Sequence, residues 1–330
     1  MKGFASIVGQ EGAVSRLRSA LASGKAHHAY LFDGPEGIGK RTTAIALAQA
    51  LNCDEAPGEG CGECASCRKI EEGTHPDLVL FRVFNEEGKE KGQTERVREL
   101  IGSLAFPPHE GHARVVIVDP AHDLNATASN VILKTLEEPP SGTYFVLVTT
   151  TASRLLVTIR SRCQRLSFAP LAETVIAETL VAAHELDPKA AQAAARLAAG
   201  SLGKALELAS SEELPRRRER AGRVIAAARA RKAQAALEIA AELSGDRDEA
   251  MATLELVWLA YHDALIVQQG AGSAAVAVDE VAKLAARVRP RSLLTGLRAV
   301  EEASDALRGY VSPQLALERL VLQLGHAGAA

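Results

Sequence analysis

One octapeptide, Gly34-Pro35-Glu36-Gly37-Ile38-Gly39-Lys40-Arg41, constrains the fold of this chain more than any other feature. It follows an apolar run, Tyr30-Leu31-Phe32, and opens into a helical pattern of Ala44, Leu47, Ala48 and Leu51. Strand, glycine loop and helix in that order make a phosphate cradle. Backbone N–H groups wrap the anion at the helix N-terminus, and the lysine meets its charge. The last position of such a loop is normally Ser or Thr, whose hydroxyl holds magnesium; here it is Arg41. Thr42 is a partial remedy, because one step along a helix turns a side chain by about 100°. Gly34, Gly37, Gly39, Lys40, Arg41 and Thr42 are therefore the candidate nucleotide-binding residues of a degenerate loop.

The second element of a nucleotide site is an apolar strand ending in acid. Val115-Val116-Ile117-Val118-Asp119 fits, with Asp119 able to hold magnesium through water. In hydrolases of this class a Glu follows directly and orients the attacking water, but Pro120 stands there, and Asp123 would need a different backbone path to replace it. Two defects thus fall on two separate catalytic parts. The loop can still take ATP or ADP, and hydrolysis is not expected.

The surrounding sequence supplies the sheet. Residues 1–168 alternate short β-branched or aromatic runs with helical patterns, with candidate strands at Ala29–Asp33, 78–81, Arg114–Asp119, 144–149 and 164–168. That alternation predicts an α/β domain, a parallel sheet flanked by helices. From Pro170 the composition shifts to Ala/Leu patterns at helical spacing, broken by Gly200-Ser201-Leu202-Gly203 and again by Glu213-Leu214-Pro215. The expected domains are 1–168, a small helical lid at 169–212 and an all-helical collar at 213–330. Residues 85–92 read as a surface loop.

Cys53, Cys61, Cys64 and Cys67 follow the loop helix with the spacing C-x7-C-x2-C-x2-C. Four thiolates in a glycine-rich turn suit a closed tetrahedral zinc site of the structural kind; the alternative is four free thiols in an insertion. Cys163 reads as a buried small hydrophobe. The formal charge of −3 gives no global reason to expect nucleic acid or a membrane as partner. No apolar signal core or membrane-spanning stretch is read, so a cytoplasmic protein without membrane partners is expected.

Several further motifs occur in a fixed order: Ile7-Val8-Gly9-Gln10, His28-Ala29-Tyr30-Leu31-Phe32, Thr74-His75-Pro76-Asp77, the run from Asn130 to Pro140 (NVILKTLEEPP) and Thr158-Ile159-Arg160-Ser161-Arg162-Cys163. With the loop and the cysteines, they resemble the bacterial DNA polymerase III delta-prime family, in the clamp-loader branch of the AAA+ proteins. The resemblance implies an AAA+ domain carrying a zinc module, then the lid and an oligomerising collar, where its motifs are weak. It implies that Arg162 is an arginine finger presented in trans to ATP bound by an adjacent subunit. On the residues alone, Arg162 would read as an arginine paired with a surface carboxylate. Lys204 stands where many relatives carry an arginine sensing the γ-phosphate, and Thr149 and Thr150 where relatives place a phosphate-sensing polar residue; on the residues alone the two threonines read equally as a simple strand cap. Lys134 corresponds to a position near the channel for primed DNA. The basic run of Arg216, Arg217, Arg218, Arg220 and Arg223 has no interleaved aromatics and reads as a solvated helix face or a subunit contact.

The implied function is that of the stationary subunit of a clamp loader. It would assemble with motor (gamma/tau) and delta subunits, support ATP hydrolysis in its neighbour and help load the sliding clamp on primed DNA. It would belong to the polymerase III holoenzyme, a nucleotidyltransferase, with no polymerase activity of its own. The Arg41 and Pro120 departures favour this reading over an active gamma/tau-like ATPase. A stand-alone nucleotide kinase would need a lid with catalytic arginines and an acceptor pocket, which the helical tail does not offer.

Overall fold

The computed structural model describes residues 3–83, 92–210, 213–230, 232–270, 281–308 and 312–327. The chain divides by contacts into two units: residues 1–175 with Gly200–Gly203, and Ile176–Ala199 with the remainder from Lys204.

The first unit is built on five strands, β1 (Ala29–Asp33), β2 (Leu78–Arg82), β3 (Arg114–Asp119), β4 (Thr143–Thr149) and β5 (Gln164–Ser167). All pair in parallel, in the order β2-β3-β4-β1-β5. The expected strands lie within one residue of these bounds. Alternate residues of each inner strand feed opposite cores, as a period of two requires. Tyr30, Phe32, Val115, Ile117, Val146 and Val148 face one side. Ala29, Leu31, Val116, Val118, Phe145 and Leu147 face the other. Burial on both faces is why these strands read as continuous apolar runs.

Helices α1 (Glu11–Ala22) and α2 (Lys40–Asn52) cover the first face through Val14, Leu17, Ala44 and Leu47. Helix α3 (Ala65–Glu72) follows the cysteine-rich turn. Helices α4 (Gln93–Ser103), α5 (Ala126–Glu137) and the short α6 (Val157–Arg160) cover the second face through Val97, Leu100, Ile132 and Ile159. Asn125 caps α5 by accepting from Ala128 N at 2.8 Å. The loop expected over 85–92 lies outside the described residues apart from Gly92, which stands at the N-cap of α4.

The second unit is helical. It comprises most of α7 (Glu173–His184), then α8 (Pro188–Leu197), most of α9 (Leu202–Ser210), α10 (Glu213–Ala230), α11 (Ala233–Leu243), α12 (Arg247–Gln268), α13 (Val281–Arg287), α14 (Pro290–Arg308) and α15 (Pro313–Ala327). Pro215 sits in the first turn of α10, where a missing N–H breaks no helical bond. The boundaries expected near 169 and 213 are finer than this two-way division and stand as a proposal.

Helix α12 corrects one expectation. By length and composition alone it is apolar enough to cross a membrane, with a mean hydropathy of 1.3. In this fold it is the central helix of the second unit. It packs against α10, α13 and α14, and Leu254, Val257, Ala260, Tyr261 and Ala264 are buried in the core. A helix enclosed on several sides is apolar nearly all round. At Gly296 of α14 a Cβ would come within 2.5 Å of the Tyr261 ring, so the approach of α14 to α12 depends on glycine. A buried ion pair, Arg196 Nη1 to Asp263 Oδ1 at 2.6 Å, ties α8 to α12.

Candidate functional site

The carboxyl edge of the parallel sheet gathers most of the residues expected to form a degenerate nucleotide site. Gly34 leaves β1 so close to β5 that a Cβ there would meet Phe168 O at 2.4 Å. Gly39 stands at the N-cap of α2 with φ 96°, a left-handed conformation that favours glycine. Gly37 O accepts from Gly203 N at 2.9 Å, which ties the loop to the 200–203 turn. Lys40 is buried, and its ammonium donates to Gly34 O at 2.6 Å and to Pro35 O. Burial pulls the Lys40 pKa down, against the charges of Asp119, Glu36 and Asp33.

Asp119, at the end of β3, faces two cations. Burial raises its pKa, while the charges of Arg41, Lys40 and His122 pull the other way. Arg41 thus brings a guanidinium charge to the acid that would otherwise serve a metal ion. Asp123 does not take over the role missing at Pro120: it pairs with Arg154 at 3.2 Å, while its backbone carbonyl accepts from Gln93 Nε2 at 3.2 Å. Thr42 lies half-buried on α2. Lys204 is exposed and belongs to the second unit.

Two residues at this edge escaped the sequence reading. His122 lies between the threonines that end β4, with Nδ1 at 3.1 Å from Thr149 Oγ1 and Nε2 at 3.3 Å from Thr150 Oγ1. Buried Gln10 donates to Ile38 O (3.2 Å) and Ala169 O (2.8 Å), and accepts from Ala169 N (3.3 Å). It therefore pins the phosphate loop to the segment after β5. Its place in Ile7-Val8-Gly9-Gln10 was the only available signal.

The four clustered cysteines converge. Their sulfur atoms all lie within 4.8 Å of one another, with Cys53–Cys64 at 3.9 Å and Cys61–Cys67 at 4.0 Å. A tetrahedral site with Zn–S bonds of about 2.3 Å needs sulfurs about 3.8 Å apart, so the donor set fits such an ion. Backbone N–H groups point at the sulfurs: Ala56 and Cys61 to Cys53, Glu63 and Cys64 to Cys61, and Cys67 to Cys64. Burial disfavours the Cys53 thiolate, but the N–H groups of Cys61 and Ala56 and the neighbouring Cys61 and Cys67 thiols outweigh it and bring its pKa down to about 7. Cys163 packs against the sheet core, and burial pushes its pKa up to about 12.

The amino edge of the sheet carries Arg162, between α6 and β5. Its Nη2 lies 2.5 Å from Glu137 Oε1, and its Nη1 donates to Thr158 O at 3.1 Å. A shallow, open depression is lined here by His27, His28, Leu136, Glu137, Ser161 and Arg162. At the start of α6, Leu156 and Val157 are exposed to solvent, at 39% and 69%. Lys134 is exposed on α5. The basic run on α10 forms ion pairs within its own unit, Arg223 with Glu242 and Arg220 with Glu249.

The Thr74-His75-Pro76-Asp77 motif has a structural explanation. The buried Asp77 carboxylate accepts from His109 N (2.7 Å), Glu110 N (2.9 Å), Gly111 N (2.9 Å) and Arg114 Nη2 (3.2 Å). His75 is buried, with Nδ1 accepting from Asp77 N at 3.1 Å.

The family model described as DNA polymerase III, delta subunit, matches residues 9–172, and that described as its C terminal matches residues 213–326. DNA polymerase III subunit delta′ of Bacillus subtilis is 31% identical over 314 residues, covering 93% of this chain and 94% of that one. The delta′ subunit of Escherichia coli is 38% identical, over 58% of each chain. The tau subunit of E. coli is 38% identical over 62% of this chain, which spans only about a third (32%) of tau. A solved gamma subunit-related protein of Thermotoga maritima is 16% identical, covers 96% of this chain and 99% of its own, and superposes with a TM-score of 0.43.

Proposed function

Because this chain belongs to the DNA polymerase III delta-prime family, in the clamp-loader branch of the AAA+ proteins, we propose that it is the stationary subunit of a clamp loader. In this reading it joins motor (gamma/tau) and delta subunits, and the complex places the sliding clamp on primed DNA. Its own phosphate loop retains ATP or ADP without turning it over. Arg162 completes the ATP site of an adjacent subunit.

One observation carries the reading: the two ends of the parallel sheet hold complementary parts of a nucleotide site. The phosphate loop, Asp119 and Thr149 lie at the carboxyl edge. Arg162 precedes β5 at the amino edge. The register pairs Gln164 with Tyr30 and Ser167 with Asp33, so Arg162 stands five residues from the level of the loop. At about 3.3 Å per residue the strand alone spans roughly 10 Å from Gln164 to Ser167, and Arg162 precedes it, paired with Glu137 at the amino edge. A guanidinium that far away cannot reach a phosphate on its own loop, whereas it can reach one bound by a neighbour seated against the amino edge. The exposed Leu156 and Val157 give that face an apolar border suited to a partner. A finger of this kind is worth about 10³–10⁵ in rate. Zinc, held by Cys53, Cys61, Cys64 and Cys67, would staple the turn between α2 and α3 and supplies no step of the reaction. Lys134 is assigned a sequence-independent phosphate contact with DNA in the assembled complex.

The second reading, an active gamma/tau-like ATPase, draws on the tau match, which at 38% equals the identity to the E. coli delta′ subunit. It would need Thr42 and Asp123 to replace the missing parts, and Asp123 is engaged with Arg154. ATPase assay of the purified chain separates the two. Negligible turnover is expected; turnover comparable to a motor subunit, abolished by Lys40→Ala, would establish the ATPase reading instead.

A further inference from the structure

Arg162 is held at two points. Nη2 meets Glu137 Oε1 at 2.5 Å and Nη1 donates to Thr158 O at 3.1 Å, and the pair stays substantially open to solvent, with side chains 37% and 42% exposed. A guanidinium has five N–H donors. One from each terminal nitrogen suffices for these contacts, leaving the others for an incoming anion.

The backbone that carries Glu137 is anchored. It is the last residue of α5, and the carbonyl of Leu136 just before it accepts from His28 Nε2 at 3.0 Å. A carbonyl only accepts, so the His28 proton resides on Nε2. His28 in turn leads into β1, and its own carbonyl accepts from Phe145 N of β4 at 2.8 Å. The carboxylate thus stands on a helix end tied through His28 to the centre of the sheet. A long arginine in the exposed turn after α6 has many rotamers, and this carboxylate selects one of them.

We infer that Glu137 is a positioning residue for Arg162, orienting its guanidinium toward the nucleotide of the adjacent subunit. This rests on the reading of Arg162 as a finger acting in trans. Glu137 touches no reacting atom in this account; it acts by reducing the conformational search that Arg162 makes before each turnover.

The test is a double-mutant cycle in the complete reconstituted clamp loader, reading DNA- and clamp-stimulated ATPase at saturating ATP, with subunit stoichiometry checked for each variant. Glu137→Ala is expected to lower kcat about two- to five-fold, the range for an exposed ion pair, with the KM for ATP unchanged. Glu137→Gln, which keeps an acceptor oxygen and loses the charge, should fall between. In an Arg162→Ala background Glu137→Ala should cause no further loss, because its effect passes through the guanidinium. If Arg162→Ala lowers the rate and Glu137→Ala does not, or raises it, the positioning role is overturned and the finger survives. An additional loss from Glu137→Ala in the Arg162→Ala background overturns it as well. If Arg162→Ala is itself without effect, the finger reading fails and the positioning role with it.

Discussion

Replacing Asp77 with Asn should destabilise the first unit severely while leaving every proposed functional residue in place. The Asp77 carboxylate accepts three backbone N–H groups and the Arg114 guanidinium, and the paired side chains are 0% and 4% exposed. Arg114 also donates to the carbonyls of Ser103, Phe106 and Pro107, so it cannot swing out to water without giving up the turn before β3. Asparagine would leave that guanidinium buried without its counter-charge and turn an NH₂ toward N–H donors. Breaking a buried pair in this way costs about 3–5 kcal/mol. At about 2–4 °C per kcal/mol for a unit of this size, the expected fall in Tm is about 6–20 °C. Thermal melts followed by circular dichroism report the whole chain. The single tryptophan, Trp258, lies in the second unit, so its fluorescence identifies which transition has moved. The pH dependence has a definite sign. Burial works to raise the Asp77 pKa, but the three N–H groups and Arg114 outweigh it and hold it below its ordinary 3.8. Its contribution is therefore complete above that value and is lost as pH falls through the lower folded pKa, so wild type and variant should converge only under strong acid. A Tm lowered by less than about 2 °C at neutral pH would refute the reasoning, since it would amount to about 1 kcal/mol or less.

Native chain purified without chelator should carry one zinc, and Cys67→Ser should lose it while the sheet melts at nearly the same temperature; elemental analysis giving well under one zinc per chain would contradict the site. Nucleotide binding, measured by calorimetry with ATP and ADP, should be detectable and should disappear in Lys40→Ala; unchanged binding in that variant would remove the phosphate loop from the account. A chain ending at residue 212 should keep its sheet and zinc site folded but fail to co-purify with motor and delta subunits; normal assembly would show that α10 to α15 are not the collar.

What the sequence disclosed and what it hid have a common physical origin. The strands were legible because a parallel sheet covered on both faces makes every residue of runs such as Val115-Val116-Ile117-Val118 apolar. The phosphate loop and the cysteines were legible because their chemistry depends on local spacing. The same local reading missed α12, whose apolar surface is met by α10, α11, α13 and α14. It also could not see that Arg196 of α8 is bound to Asp263 of α12, 67 residues further on. His122 and Gln10 acquire their roles only when the carboxyl edge of the sheet assembles around them. Arg162 and Glu137 are 25 positions apart in the sequence, and each is an ordinary surface residue until α5 and α6 bring them together.

The central claim is that this chain serves another subunit's ATP more than its own, and Arg162 in the assembled complex tests it most directly. Clamp loading and stimulated ATPase should be measured with wild type, Arg162→Ala and Arg162→Lys in otherwise identical complexes. The account predicts normal folding, zinc content and assembly for both variants, with part of the ATPase and of clamp loading lost because the other sites in the ring keep their own arginines. Lysine should rescue poorly, since an ammonium cannot reproduce a planar two-pronged contact with phosphate oxygens. Complexes carrying Arg162→Ala that hydrolyse ATP and load clamps at the unmodified rate would contradict it.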